Sequence, residues 1–158
     1  MIAFEAATRT LPESIANLDL DYLGCKLLDD DACEAERREG RRLWDAERVA
    51  RALHEYRQFL ALMSWYPEAA LVPSPDIDEV WHTHVLNTAR YQADCDAIFG
   101  RFQHHTPTSG DSEDDLDRRD ETLQLFEEAF GEVPESYAGG DYGKCRRSKC
   151  RRSKCRRN

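Results

Sequence analysis

Hydrophobic residues recur along most of the chain at intervals of three and four residues, and strand-like alternation of apolar and polar positions is hard to find. The clearest example lies between residues 43 and 66. There, the apolar positions that share one face are Val49, Leu53, Tyr56, Leu60 and Met63. This spacing is typical of an amphipathic α-helix. Pro67 is expected to end the helix, because proline lacks the amide hydrogen that a further turn would need.

A helix is also predicted near the start of the chain. Thr10 can accept hydrogen bonds from free backbone amides, and Glu13 stands three residues later, which is a capping-box arrangement. The residues expected to face the core from this helix are Ile15, Leu18, Tyr22 and Cys25.

Two more helices are indicated by the residues at their ends. Ser74 and Pro75 are typical of the cap and first position of a helix, which is predicted to run to Phe99 and stop at Gly100. A fourth helix is predicted over residues 112–130. Its expected core residues are Leu116, Leu123, Phe126 and Phe130. The four segments predict an all-α fold, a bundle of about four helices.

The charge of the chain changes sharply near its C-terminal end. The 158 residues hold 22 Lys+Arg and 31 Asp+Glu, a formal charge of −9, but residues 144–158 hold nine basic residues and no acid. Residues 1–143 therefore carry −18. We predict a helical domain over residues 1–137, a Gly-rich linker over 138–143 and a basic tail over 144–158. Nine like charges oppose compaction, so the tail is expected to be disordered.

A cytoplasmic location is expected. The opening residues, MIAFEAATRTLPES, lack the basic-then-apolar order of a signal peptide, and no apolar run is long enough to be a transmembrane segment. The six cysteines are then expected to be free thiols rather than disulfides. In the body, Cys25 and Cys33 are interpreted as packing or incidental thiols.

The tail consists of Lys-Cys-Arg-Arg-Ser written twice, then a third time with Asn in place of Ser. Cysteines five residues apart share neither one face of a helix nor one face of a strand. The repeat is therefore interpreted as one short unit presented three times. Its candidate residues for modification or binding are Cys145, Cys150, Cys155, Arg146, Arg147, Arg151 and Arg152.

Three uses of this repeat are weighed against a passive tail that only adds positive charge. Arginine pairs can bind the phosphates of nucleic acid or of an anionic surface, but this use leaves the cysteines unexplained. Thiolates could capture a metal, but the spacing is not Cys-x-x-Cys and the neighbouring positive charge opposes a cation. The layout also resembles precursors of ribosomally made, modified peptides, in which a cysteine-modifying enzyme would recognise both body and tail.

The third predicted helix carries the most unusual stretch, DIDEVWHTHVLNTARYQADCDAIFGRFQHH. Its Asp-x-Asp-x-x-Trp-His-x-His pattern, followed by Tyr, Asp-Cys, Gly and His, resembles the glycine-rich domain-containing protein-like family. The matching positions are Asp76, Asp78, Trp81, His82, His84, Tyr91, Asp94, Cys95, Gly100 and His104 or His105. The resemblance covers roughly residues 40–137. It implies family membership and brings no biochemical activity with it.

The histidines of this stretch allow a structural and a metal-binding interpretation. His82 and His84 point about 200° apart on a regular helix, so they cannot hold one ion without a residue from elsewhere, such as His104, His105 or His54. Asp78 can pair with His82 four residues on. The apolar stripe places His84 in the buried seam instead, where it would hold the helices in register. That stripe contains Ile77, Trp81, His84, Thr88, Tyr91, Cys95, Ile98 and Phe102.

The predicted function is a non-enzymatic binding or scaffold module whose tail is the working segment. The tail would bind polyanions or be a substrate for cysteine modification, with the body acting as leader. No cofactor is predicted under this interpretation. The alternative is a metal-binding protein or metal-dependent enzyme centred on His82 and His84, using a divalent ion with Asp78, His104 and His105 as further candidate ligands.

Overall fold

The computed structural model of the chain describes residues 8–30, 44–106 and 112–138. Within them lie six α-helices and no strand: α1 (Glu13–Ala16), α2 (Asp21–Asp30), α3 (Ala46–Trp65), α4 (Pro75–Leu86), α5 (Thr88–Phe99) and α6 (Glu113–Phe130). A single 3-10 turn, Glu135–Tyr137, follows α6. The predicted all-α bundle is confirmed. It contains more helices than predicted, because two of the four predicted segments are interrupted.

The first predicted helix is interrupted after one turn. Asn17 ends α1, and the guanidinium of Arg57 donates to the Leu18 carbonyl (3.0 Å), which satisfies a backbone acceptor in the gap. The chain restarts as α2, whose buried leucines are Leu23 and Leu27, and Leu20 is buried just before it. The prediction that Cys25 faces the core was wrong, since it is exposed. Nor does Thr10 cap this helix, whose N-terminal flanking residue is Pro12.

Helix α3 forms the centre of the bundle. The Asp45 carboxylate accepts from the Arg48 amide (2.8 Å) and begins the helix, and Pro67 follows just after its end, as expected. Phe59 is fully buried, and its ring lies 5.6 Å from that of Trp81 on α4 and 6.5 Å from that of Phe126 on α6. Helices α4 and α6 therefore both pack on α3.

Helices α2 and α3 approach closely at Gly24. A Cβ atom added there would lie 2.8 Å from Cγ1 of Val49. Packing rather than backbone conformation therefore favours glycine here, because a side chain would force Val49 or the helices themselves to shift.

The third predicted helix is divided at Asn87. The Asn87 side chain donates to the Thr83 carbonyl (2.8 Å), and its backbone leaves the helical region at φ −88° and ψ 64°. Asparagine competes in this way with the regular helical bonds. As a result α4 and α5 are two helices that pack on each other, and Thr88 is exposed rather than part of the buried stripe.

The last predicted helix is confirmed at both ends. The Ser112 hydroxyl accepts from the Asp115 amide (3.2 Å), and Gly131 ends α6 in the left-handed conformation at φ 74°. Phe126 is buried as expected, but Leu116 is 52% exposed, so its assignment to the core was wrong. Thr122 lies in the interior instead and donates its hydroxyl to the Arg118 carbonyl.

Two predicted features fall outside the described residues. Residues 139–158 contain most of the linker and the whole basic tail, so the predicted disorder of the tail stays a prediction. Cys33 also lies outside the described residues, so its interpretation as a packing or incidental thiol stays a prediction. Among the helices that are described, none combines the length and hydropathy needed to cross a bilayer.

Candidate functional site

The Asp-x-Asp-x-x-Trp-His-x-His motif occupies α4, whose start is firmly fixed. The hydroxyl of Ser74, which is fully buried, accepts from the Ile77 amide (3.2 Å) and also lies 2.7 Å from the Ser136 hydroxyl. Pro75 takes the first helical position. This capping sets the rotation of α4, and therefore the direction in which each polar side chain of the motif points.

The polar residues of α4 are divided between two sides of the helix. Residues four apart, such as Asp78 and His82, are offset by about 40°, whereas His84 is rotated by about 200° from His82. The structure accordingly places Asp78 and His82 in one cluster and His84 in another. The prediction that His82 and His84 cannot hold one ion agrees with this arrangement.

His84 lies in the core between two hydrogen-bond partners. Its side chain is 1% exposed; Nδ1 lies 2.8 Å from the Tyr56 hydroxyl of α3, and Nε2 lies 2.9 Å from a carboxylate oxygen of Asp94 on α5. Both ring nitrogens are thus paired, as a buried imidazole requires. The residue links three helices, which confirms its place in the buried seam.

The two hydrogen-bond partners of His84 determine which of its ring nitrogens carries the hydrogen. A carboxylate oxygen accepts hydrogen bonds, so Nε2 carries the hydrogen and Nδ1 accepts from the Tyr56 hydroxyl. Burial raises the pKa of Tyr56 well above its ordinary 10, which keeps that hydroxyl a donor. Burial also lowers the pKa of His84 below 6.5, against the opposing effect of its hydrogen bond to Asp94 and of that charge. The residue is therefore a neutral structural histidine.

Trp81 and Tyr91 tie the loop after α5 back onto α4. The Trp81 indole donates to the Tyr91 hydroxyl (2.9 Å), which in turn donates to the Gln103 carbonyl. Cys95 is buried on the same helix as Tyr91, as predicted, and burial raises the pKa of its thiol. This chain of bonds brings residues 101–106 against the face of α4 that carries Asp78.

His105 completes a cluster of three groups that can bind a metal. Its Nε2 lies 2.8 Å from Oδ1 of Asp78, and Nε2 of His82 lies 3.6 Å from the same oxygen. The ligand atoms of the three residues all lie within 4.8 Å of one another. The ring of His105 also stacks on Trp81, with centroids 3.9 Å apart.

The structure brings together only some of the residues proposed as metal ligands. Asp78, His82 and His105 form the cluster, whereas His84 lies apart from it, between Tyr56 and Asp94. His104 is exposed, contacts the ring of Phe102 and is not part of the cluster.

A buried ionic network lies on a further side of α4, and the sequence did not reveal it. The guanidinium of Arg48 donates to both oxygens of Asp76, at 2.7 and 3.2 Å, and Arg51 lies 3.5 Å from the same carboxylate. Arg51 also approaches Glu55, whose pKa is raised by burial. The first aspartate of the motif therefore serves to anchor α4 to α3.

The tail residues proposed for modification or binding cannot be placed, because they lie beyond residue 138. These are Cys145, Cys150, Cys155, Arg146, Arg147, Arg151 and Arg152. Their roles stay predictions.

Comparisons with known proteins identify relatives of the helical body. The UCP032817-like family matches residues 32–126. Two proteins of Arabidopsis thaliana, glycine-rich domain-containing proteins 2 and 1, are 38% and 35% identical over 66 residues. Each match covers 37% of this chain and 8% of the relative. The chain thus spans less than a tenth of the length of these relatives, and the resemblance inferred from the motif is confirmed. No solved structure matches.

Proposed function

Since the chain belongs to the UCP032817-like family, and the matched region ends well before the Lys-Cys-Arg-Arg-Ser repeat, we propose that the helical body is a non-enzymatic scaffold and that the repeat is its working segment. The body acts as a leader on which a cysteine-modifying enzyme docks. That enzyme then modifies Cys145, Cys150 and Cys155 in turn. The observation that carries this proposal is that the same short unit, Lys-Cys-Arg-Arg, occurs three times and contains one cysteine in every copy.

The chemistry of the unit supports cysteine as the reacting residue. Neighbouring Lys and Arg side chains favour the thiolate form of a cysteine, which is its nucleophilic form. The five-residue period does not place the cysteines for burial together. Three copies of one unit suit an enzyme that acts repeatedly on one short sequence.

The organisation of the body is compatible with a scaffold. His84 and Asp76 of the motif are directed at partners inside the bundle, where they hold α4 against its neighbours. Polar residues committed to such contacts fix the fold. A leader domain needs a stable surface for docking, and these contacts provide stability.

Intact-mass measurement of the protein from its native host tests this proposal. We expect up to three equal mass increments over the sequence mass, all mapping by peptide analysis to residues 144–158. Cys25 is an internal control because it is an exposed thiol of the body, and Cys95 is a buried one. Both should stay unmodified. An unmodified protein, or increments that fall equally on Cys25, would refute enzyme-directed modification of the repeat.

Charge favours a second candidate function, binding of the tail to a polyanion. The tail carries nine basic residues in fifteen, whereas residues 1–143 carry −18 and are repelled by phosphate-rich surfaces. Arginine pairs can bind phosphate oxygens through two hydrogen bonds.

Removal of residues 144–158 is expected to abolish binding to RNA and to anionic vesicles while leaving the helical melt unchanged. Fluorescence anisotropy and vesicle sedimentation measure the binding. A full-length variant with the three tail cysteines replaced by serine is the matched control, because it keeps every charge and should bind as the wild type does. Binding retained by the truncated protein would place the polyanion site on the body.

A further inference from the structure

We propose that Asp78, His82 and His105 form a site for one divalent transition-metal ion of the zinc class, with His84 outside the coordination sphere. The proposal concerns the helical body and is independent of the function assigned to the tail. It also replaces the arrangement expected from the sequence, in which His82 and His84 were the central ligands.

The separations between the three ligand atoms suit an ion. A tetrahedral ion with bonds of about 2.1 Å holds neighbouring ligand atoms about 3.4 Å apart. The distances from Asp78 Oδ1 are 2.8 Å to His105 Nε2 and 3.6 Å to His82 Nε2, and no pair of ligand atoms exceeds 4.8 Å. Side-chain shifts of about 1 Å therefore suffice to close the three groups around one ion.

The ligand types select the class of metal. Two imidazole nitrogens and one carboxylate oxygen suit zinc and similar borderline ions, whereas calcium and magnesium require oxygen ligands. The side chains of Asp78 and His82 are 25% and 16% exposed, so an ion can enter and water can take the remaining coordination positions.

All three ligands are held in place by the fold itself. Asp78 and His82 stand one turn apart on the same helix, which fixes their spacing. The ring of His105 is stacked on Trp81, and its side chain is only 7% exposed. The tether from Tyr91 to Gln103 holds the start of this loop. Preorganised ligands lose little conformational entropy on binding, which favours affinity.

The environment of His105 also limits the affinity of the site for zinc. To coordinate through Nε2, the ring must carry its hydrogen on Nδ1, and this atom is buried without a hydrogen-bond partner among the described residues. Metal-binding histidines ordinarily donate that hydrogen to an acceptor, and loss of such a partner weakens binding by about 10- to 100-fold. We therefore expect zinc to bind about 10- to 100-fold more weakly than it would if such a partner were present.

Zinc binding by the full chain, purified without a polyhistidine tag, tests the proposal. Cys145, Cys150 and Cys155 are replaced by serine, so that no zinc held by tail thiols can enter the measurement. Equilibrium dialysis should then give one ion per chain. Cobalt in place of zinc should give visible absorption without the strong near-ultraviolet band of a cobalt–thiolate bond.

Matched histidine variants locate the site. His82→Ala and His105→Ala should each raise the dissociation constant for zinc by at least tenfold, since each removes one of three ligands. His104→Ala, at the exposed neighbour of His105, and His54→Ala, at an exposed position of α3, should change it by less than twofold. At one zinc concentration, the rise in melting temperature should also be clearly smaller for His82→Ala than for the parent protein.

Three results would overturn the proposal. These are binding of less than about 0.2 ion per chain at saturating zinc, a cobalt–thiolate band in the serine background, or effects of His82→Ala no larger than those of His104→Ala. If His105→Ala fails to fold, His82→Ala and Asp78→Asn decide the matter. Each of these must weaken zinc binding at least tenfold while keeping a cooperative melt in chelator.

Discussion

Replacing His84 with alanine is expected to lower the free energy of unfolding by about 3 kcal/mol. The change removes an imidazole that is 1% exposed and leaves the Tyr56 hydroxyl and the Asp94 carboxylate without their shared partner. An unpaired buried polar group costs about 1–3 kcal/mol, and the cavity adds to this. Urea denaturation followed by far-ultraviolet circular dichroism measures the effect.

Two controls separate burial from the mere loss of a histidine. His54→Ala, at an exposed position, should change the free energy of unfolding by less than about 0.5 kcal/mol. His82→Ala in chelator should cost clearly less than His84→Ala, because His82 is less buried. Equal and small costs for all three variants would contradict the structural role of His84.

The difference in the free energy of unfolding between the wild type and His84→Ala should depend on pH, and this dependence reports the protonation of His84. Its pKa in the folded protein is lowered below 6.5 by burial, so the unfolded chain takes up a proton first as the pH falls. The stabilisation from neutral His84 is complete above pH 6.5 and is lost progressively toward the lower folded pKa. The difference in stability between the wild type and His84→Ala should therefore shrink below pH 6.5. A difference that grew on acidification would indicate a charged His84 in the folded state.

Asp76→Ala is expected to destabilise the protein by a similar amount, about 3 kcal/mol. The Asp76 carboxylate accepts two hydrogen bonds from Arg48, which is 7% exposed, and lies near Arg51 as well. Removal of one partner from a buried ion pair leaves the other charge poorly compensated, which is costly. Chemical denaturation again provides the measurement.

Two comparisons show whether this cost arises from the ion pair. Asp76→Asn keeps the shape and some hydrogen bonding, so its loss of stability should fall between those of the wild type and Asp76→Ala. Asp96→Ala removes an exposed carboxylate of α5 and should cost less than about 0.5 kcal/mol. If Asp76→Ala cost no more than Asp96→Ala, the pair with Arg48 would not anchor α4.

Local patterns in the sequence accounted for the helices and for several of their ends. The four-and-three spacing indicates which residues share a face, and this placed His84 and Cys95 in the interior correctly. Ser74, Ser112 and Gly131 act on backbone groups within a few residues, so their roles are visible without the rest of the molecule. The motif was sufficient to identify the family.

The break at Asn87 could have been recognised in part. Asparagine favours helix ends and turns, because its side chain can bond to nearby backbone groups. The apolar spacing nevertheless continues across this position, and it favoured one long helix. On a straight helix, a separation of ten positions would place His84 and Asp94 about 15 Å apart along the axis, whereas their side chains lie 2.9 Å apart.

The sequence by itself thus determined an all-α body, the caps at Ser74 and Ser112, the burial of His84 and Cys95 and the sharp division of charge from the repeat. Only the tertiary structure decided which polar residues meet. Arg48 and Asp76 are 28 positions apart, and Asp78 and His105 are 27 apart. The physical reason is that helical periodicity and capping act over one or two turns. Pairing of distant residues depends instead on the path of the chain between helices, which is set by packing of the whole core.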